Sequence, residues 1–411
     1  MPLKQQKMMT DKKKILFVHH GSGMGGAPQL LLKFLLRLDK NKYDPVIWCI
    51  RKSSASDLFE SHGFKVILNQ NACPFLHISD GFYGIRHPHL VIKMICGQFT
   101  SFRTAKKIFK SVNPDIIYLN SIVIPGILRA AAGFPAKVVV NVLESVCSGY
   151  TGFRKKILIN RSLKWGDYFV FMLKSEAEKW GVAGESYTTI VHDFIEIEKF
   201  RNVISDNELR KKYSVKNDTF LIGYLGRFTK AKGVHHLLRA MGIIKRNGCH
   251  FHALLVGPVP HSPGKNIKAK LSRLFGKKPY IEQLREIIKE ENLDNNITFT
   301  GEMTDVAKVV AQFDVLAAPF TEPHFSRLCG EAAAAGKVII AFDIAGPGEE
   351  ITNNETGFLV KPFEENQLAG KFELLIKNPE IKKQMEEKAA EFAKQVFDAD
   401  KNFSKVMRMI E

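Results

Sequence analysis

The chain has 411 residues, 45% of them hydrophobic and 25% charged, with a formal net charge of +18. That is too long for one ordinary domain, comfortable for two, and too apolar for a disordered chain. No run approaches the ~18 uncharged apolar residues of a membrane-spanning helix.

Six scattered cysteines (Cys49, Cys73, Cys96, Cys147, Cys249 and Cys329) show neither a disulfide framework nor zinc-ligand spacing, so a reducing, cytoplasmic compartment is expected. Residues 1–200 hold 28 Lys and Arg against 15 Asp and Glu. Such a basic half suits an anionic partner, such as a lipid phosphate or the inner face of the cell membrane. A solvated basic surface is the alternative. Nucleic acid is not expected, because no binding module and no interleaving of Arg with aromatics is present.

The leader, residues 1–14, is polar and basic, lacks an apolar signal core, and reads as a disordered tail. Short apolar runs then alternate with helical patterns, as parallel α/β units require. Strands are expected over 15–20, 45–50, 65–68, 115–120, 137–142, 168–172 and 188–191, with a helix over 29–38 and helical spacing over 92–110. The scheme repeats with strands over 220–225, 251–256, 297–300, 315–319 and 338–342 and a helix over 234–245. Each of these strands is read as ending in a Gly- or Pro-marked turn, and ligands of open α/β sheets sit at such carboxyl ends. The boundary falls near residue 197. A basic insert after Pro258 carries Lys265, Lys268, Lys270, Arg273, Lys277 and Lys278, either a loop for acceptor or membrane or a solvated one.

Gly21-Ser22-Gly23-Met24-Gly25-Gly26 follows a strand and precedes a helix, satisfying the G-x-G-x-x-G pattern. A dinucleotide site also needs an acid roughly 20 residues on, and Cys49-Ile50-Arg51-Lys52 supplies none. The loop reads better as backbone amides facing a phosphate or sugar, or as a structural turn.

The strongest signal is Gly226-Arg227-Phe228-Thr229-Lys230-Ala231-Lys232-Gly233, a strand end with two cations five residues apart. A nucleotide-sugar reaction builds negative charge on a diphosphate leaving group, which fixed cations stabilise. Downstream, Pro319-Phe320-Thr321-Glu322-Pro323-His324-Phe325-Ser326-Arg327-Leu328-Cys329-Gly330-Glu331 runs from a strand through a loop with one carboxylate into a helix carrying a second. Amides at a helix start suit a phosphate, and a carboxylate near it can accept from ribose hydroxyls. Alanines 332–335 favour the helix, and Gly336 ends it.

On these residues the second half, roughly 217–395, resembles glycosyltransferase family four, the large retaining GT-B family. The resemblance implies two Rossmann-like doubly wound α/β domains facing across a cleft. Residues 1–197 would bind acceptor and 198–395 the donor, and 396–411 would form a helix crossing back to the first domain. Arg227 and Lys232 match the pair that binds the donor diphosphate, and Glu322 and Glu331 match the family's paired Glu. By the resemblance Glu331 holds ribose and Glu322 contacts the donor sugar, so Arg227, Lys232 and Glu322 form the expected catalytic set. Gly301-Glu302-Met303 resembles the base-reading loop, and Gly357-Phe358-Leu359-Val360 a late strand. Gly25-Gly26-Ala27 resembles the glycine loop, and His192-Asp193-Phe194-Ile195 the interdomain hinge. With Phe325, Ser326 and Arg327, these give an expected donor site of Gly25, Gly26, Arg227, Lys232, Met303, Phe325, Ser326, Arg327 and Glu331.

Two features depart from the family. Glu331 follows Glu322 by nine residues rather than eight, and Leu143 stands where many members carry a histidine. Glu144, His19 and His20 are nearby polar residues that could compensate or be structural. The only Asp-x-Asp, Asp398-Ala399-Asp400, lies in an expected helix and reads as a solvated face. No metal and no cofactor are expected beyond a UDP- or GDP-linked sugar as co-substrate. The expected reaction is metal-independent, retaining transfer to a hydroxyl acceptor, lipid-linked or part of envelope polysaccharide assembly. A non-catalytic GT-B partner that binds donor or an enzyme, and an epimerase, are the competing readings.

Overall fold

The computed structural model describes residues 12–21, 23, 25–78, 81–82, 87–203, 206–259, 278–323 and 325–411. Ser22, Met24, His324 and the insert residues from Lys265 to Lys277 lie outside them. The chain divides into two compact units, Met1–Phe194 with Asp400–Glu411, and Ile195–Ala399.

The first unit is built on β1 (Lys13–His19), β2 (Tyr43–Cys49), β3 (Lys65–Leu68), a small antiparallel hairpin of β4 (His77–Ile78) and β5 (Gly81–Phe82), then β6 (Ile116–Leu119), β7 (Lys137–Val142), β8 (Tyr168–Phe171) and β9 (Thr188–Ile190). The seven long strands form one parallel sheet in the order β3-β2-β1-β6-β7-β8-β9. Parallel strands covered on both faces read as continuous apolar runs, and residues Ile15 to Val18 of β1 are indeed wholly buried. Their alternation assigns faces. Phe17 meets Phe34 of the Gly26–Arg37 helix and Tyr118. Leu16 and Val18 share a core with Ile108 and Phe109 of the Pro88–Val112 helix, Leu128 of Pro125–Ala131, and Leu158 of Phe153–Trp165. β1 starts earlier than the sequence suggests. Lys13 and Lys14 pair with Tyr43 and Asp44, and Asp115 accepts the Lys14 amide at 2.7 Å, so both lysines are strand rather than tail.

The second unit contains β10 (Phe220–Leu225), β11 (Phe251–Val256), β12 (Ile297–Gly301), β13 (Val315–Ala318), β14 (Ile339–Phe342) and β15 (Gly357–Val360). They form a parallel sheet in the order β12-β11-β10-β13-β14-β15. In each unit the order reverses beside the first strand, between β1 and β6 and between β10 and β13. These are the topological switch points where α/β sheets open a crevice.

The last helix, Ala399–Ile410, packs mostly within the first unit. Arg37 Nε donates to Asp400 at 3.1 Å, Asn402 Nδ2 to the Asp193 carbonyl at 2.6 Å, and Lys137 Nζ to the Ile410 carbonyl at 2.9 Å. Asp398 is not helical, contrary to expectation. It forms a parallel bridge with Ile195, whose amide the Phe397 carbonyl accepts, so the helix can begin only one residue later. Among the described residues no helix is long and apolar enough to cross a membrane.

Candidate active site

The second sheet's switch point is made by two loops that touch. The loop after β10 carries Arg227 and Lys232, and the loop after β13 carries Phe320, Thr321 and Glu322. The Thr321 amide donates to the Ala231 carbonyl at 2.9 Å, and its hydroxyl to the Lys230 carbonyl at 3.2 Å. Gly233 makes this approach possible. It adopts φ +65°, and a Cβ there would stand 1.7 Å from the Pro319 carbonyl oxygen. Gly257, at the end of β11, lies equally close to the first loop, where a Cβ would fall 2.0 Å from the Gly226 carbonyl oxygen. Glycine is therefore required at both places by backbone approach, not by sequence habit.

Lys232 is half-buried, with Nζ 4.4 Å from the centroid of the Phe320 ring, a cation–π contact that fixes it over the edge of the sheet. Its charge also reaches Cys329 in the following helix. Arg227 is exposed at the end of β10, its carbonyl accepting the Tyr224 hydroxyl at 2.9 Å. Phe228, between the cations, points inward and packs edge-on against Phe299 of β12. Glu322 is exposed on the same loop as Thr321.

The helix expected after this loop is Arg327–Ala334, with Ser326 as its N-cap residue. Glu331 is its fifth residue and sits in the second turn rather than at the start. It is 8% exposed and accepts from Arg327 Nη2 at 2.9 Å, an i,i+4 pair. Ser326 is buried and Phe325 half-buried, while Met303, in the loop after β12, packs against the core beneath β13. Burial pushes the Cys329 thiol well up, which marks it as packing rather than as a nucleophile.

Glu350, which the sequence did not single out, proves central here. It is 1% exposed, and both of its oxygens accept the Ser326 amide, at 3.0 and 3.3 Å. A carboxylate thus occupies the mouth of the helix start that was expected to offer amides. The only available signal was a Glu-Glu pair after Gly346-Pro347-Gly348, at a strand end. Tyr280 was missed as well. Its hydroxyl accepts the His235 amide at 3.2 Å and lies 2.7 Å from His235 Nδ1, holding the start of the Val234–Arg246 helix behind Lys232. The structure thus joins the Lys232 loop, the Thr321–Glu322 loop and the start of the Arg327–Ala334 helix, while Met303 contacts their supporting core.

The first glycine loop belongs to the other unit. Gly25 is the exposed N-cap residue of the Gly26–Arg37 helix, with φ −70° and nothing within 4 Å of a Cβ. Neither φ nor crowding demands glycine at that position. A cavity of about 470 Å³ lies at the opposite, amino-terminal edge of the second sheet, lined by Arg210, Asp314 and Lys382. Asp314 there accepts from Arg210 Nη2 at 2.8 Å and from the Leu221 amide at 2.7 Å, which is structural pairing away from the switch point. Among the described residues no three His, Cys, Asp or Glu side chains are grouped to hold a metal ion.

The architecture is GT-B: two Rossmann-like parallel-sheet domains with solved counterparts across nearly the whole chain. The profile described as "Glycosyl transferases group 1" matches residues 205–392, which fall within the second unit. One curated relative is the capsular polysaccharide biosynthesis glycosyltransferase CapM of Staphylococcus aureus, 28% identical over 189 residues, which are 46% of this chain and 44% of the relative. The chain thus spans less than half the length of that relative. Among solved structures, Anabaena Alr3699/HepE in complex with UDP superposes with a TM-score of 0.76 at 20% identity, covering 97% of this chain and 99% of that one. A glycosyltransferase from Rickettsia africae gives 0.74 at 19% identity, covering 97% and 98%. At such identities the structures speak for the fold alone.

Proposed function

We propose that this protein is a retaining, metal-independent glycosyltransferase that takes a sugar from a UDP- or GDP-linked donor and places it on a hydroxyl acceptor. The observation that carries this reading is the packed pair of loops at the switch point of the second sheet, with Lys232 held over Phe320 and Arg227 exposed beside it. A fixed cation at ~4 Å from a developing charge contributes on the order of 4 kcal/mol at intermediate effective dielectric. Each 1.36 kcal/mol off the barrier is tenfold in rate. Arg227 and Lys232 thereby supply the charge that a metal supplies elsewhere, and the diphosphate they stabilise draws the proton from the acceptor hydroxyl. Glu331, oriented by Arg327, grips the ribose; Glu322 meets the donor sugar; Met303 borders the base. CapM's involvement in capsular polysaccharide biosynthesis and HepE's complex with UDP agree with this assignment.

For the acceptor we favour a lipid-linked or envelope polysaccharide intermediate, reached from the inner face of the cell membrane. Supporting this, the first unit exposes Ile92 (61%), Ile95 and Phe99 (62%) along one stripe of the Pro88–Val112 helix. It also exposes Tyr150, Phe153 (66%) and Ile157 at the Phe153–Trp165 helix. Arg103, Lys106 and Lys110 continue the first stripe, and Lys156 and Lys164 flank the second, a pattern suited to an anionic bilayer surface.

The test is incubation of the purified protein with UDP- and GDP-sugars, with and without a chelator. Transfer or slow hydrolysis with the donor's anomeric configuration kept, unaffected by chelation, is expected. Binding without turnover across the whole panel would instead favour a non-catalytic partner, and inverted product would remove the retaining assignment.

A further inference from the structure

Lys232 is followed after one residue by the Val234–Arg246 helix, so the start of that helix helps decide where the lysine stands. A helix start leaves its first amides without partners inside the helix, and a side chain at the N-cap position usually accepts from one of them. Here the N-cap residue is Gly233, which has no side chain to offer. The Pro319 carbonyl gives the reason, since it would lie 1.7 Å from any Cβ at that position. The close approach of the two loops therefore removes the ordinary cap from the helix that follows Lys232.

Tyr280 supplies a substitute from 45 residues away. It is half-buried and opens the Tyr280–Glu290 helix. Its hydroxyl accepts the His235 amide at 3.2 Å and lies 2.7 Å from His235 Nδ1. Burial pushes this phenol up to about 12, while the amides of His235 and Val234 pull it back. The hydroxyl thus keeps its proton near neutral pH, and with its oxygen accepting from the backbone that proton goes to His235 Nδ1. Burial lowers His235 to about 4, helped by the charges of His236 and Arg239, so the ring is neutral and able to accept. The next residue is fixed as well, with His236 Nδ1 standing 2.7 Å from Glu365 Oε1. Thr321 and Pro319 hold the backbone of the turn from the loop that carries Glu322. Tyr280 holds it from a helix that carries none of the expected donor-site residues.

We propose that Tyr280 is a positioning residue for Lys232: its hydroxyl, accepting the His235 amide and donating to His235 Nδ1, fixes the first turn of the Val234–Arg246 helix and with it the place of the Lys232 ammonium. The assignment rests on the reading of Lys232 as a diphosphate-binding cation. Tyr280 touches no substrate in this arrangement and acts through the lysine. A charge displaced by even about 1 Å loses much of its effect on the group it serves, so a single hydroxyl at this distance can matter to binding.

The experiment measures binding of UDP, UMP, GDP and GMP by calorimetry to wild type, Tyr280→Phe, Lys232→Ala and the double variant. Wild-type protein is expected to bind one of the diphosphates more tightly than its monophosphate. Tyr280→Phe should weaken that diphosphate about five- to tenfold, the loss of one hydrogen bond, and leave the monophosphate within about twofold. In the Lys232→Ala background the same substitution should change diphosphate affinity by less than about twofold, because the hydroxyl has no cation left to position. Tyr43→Phe, which deletes a hydroxyl donated to Glu411 at 3.4 Å in the first unit, should leave every affinity unchanged. If Tyr280→Phe does not fold, His235→Ala takes its place, since it removes the hydroxyl's acceptor but keeps the partner of the amide. Wild-type diphosphate affinity in the Tyr280 variant, equal losses for diphosphate and monophosphate, or equal losses with and without Lys232 would each overturn the positioning role and leave the donor assignment standing. Wild-type protein that binds neither diphosphate more tightly than its monophosphate overturns both.

Discussion

Two sheets of one design, each with its switch point beside its first strand, end in opposite chemistry. At the end of β10 the chain places Arg227 and Lys232, with Lys232 half-buried against an aromatic ring. At the end of β1 it places two histidines that burial keeps neutral, beside a carboxyl pushed up to about 7. The fold supplies the crevice in both cases, and the few residues after each strand decide what can enter it. A cationic edge suits a diphosphate, and a weakly ionised edge suits hydroxyls.

The largest effect expected from breaking this contrast is on turnover. Lys232→Ala should lower kcat at least about 100-fold, because the charge it supplies matters most where the leaving group ionises. The circular-dichroism spectrum and melting point should stay near wild type, since the side chain is half-buried at the sheet's edge and not part of its apolar core. Lys230→Ala, at an exposed neighbour in the same turn, should leave activity within a few-fold. Equal activity in both variants would dissolve the distinction between the two edges. Gly233→Ala comes next and acts on structure. With φ +65° and a backbone carbonyl 1.7 Å from the new Cβ, it should cost about 2–4 kcal/mol in denaturant unfolding and separate the two loops. By contrast Gly25→Ala, where neither φ nor crowding demands glycine, should leave stability nearly unchanged.

The third prediction concerns pH and separates the edges by sign. The folded Glu144 keeps its proton up to about 7, against an ordinary value of 4.5. Between these values the folded state holds a proton that the unfolded chain has released. Its contribution is present at low pH and lost as pH rises through about 7. His19 and His20 act oppositely. Lowered from 6.5 to about 3 and about 4, they contribute stability above pH 6.5 that is lost as pH falls through their folded values. Subtracting the stability of Glu144→Gln from that of wild type isolates the carboxyl. The difference should fall with a slope of about 1.4 kcal/mol per pH unit between pH 4.5 and 7 and be flat above. A flat difference throughout would mean that Glu144 is ionised in the folded state, and that the first edge is not the weakly charged one described.

Much of this was legible in the sequence because parallel strands buried on both faces must be written as unbroken apolar runs, and Gly or Pro marks many of their ends. The spacing of Arg227 and Lys232 was equally visible, being local. What stayed hidden was set by chain segments far apart. Glu350 reaches the Ser326 amide across 24 residues, Tyr280 reaches His235 across 45, and Asn120 reaches His19 across 101. Nothing within a local window encodes those meetings. Gly233 could be seen as a helix-start glycine, but its real constraint, the Pro319 carbonyl, comes from another strand. Asp398 was misread because its helical neighbours concealed the bridge to Ile195.

The smallest expected effect tests a difference between the outer surfaces of the units. Six large apolar side chains are exposed at two helices of the first unit: Ile92, Ile95, Phe99, Tyr150, Phe153 and Ile157. Among the described residues of the second unit only Phe363 and Ile381 are comparably exposed, and they belong to separate segments. Solvent-facing phenylalanines contribute little to folding, so Phe99→Ser with Phe153→Ser should leave the melting point unchanged. Partial insertion of aromatic rings into a bilayer adds to the attraction of lysines for anionic headgroups. The double variant should therefore bind vesicles containing phosphatidylglycerol several-fold more weakly than wild type in a sedimentation assay. Raising ionic strength should weaken both proteins further, by screening the shared basic component. Binding by wild type that is indifferent to salt and to both phenylalanines would assign the basic surplus of the first unit to simple solvation, and would leave the contrast between the units to their strand ends alone.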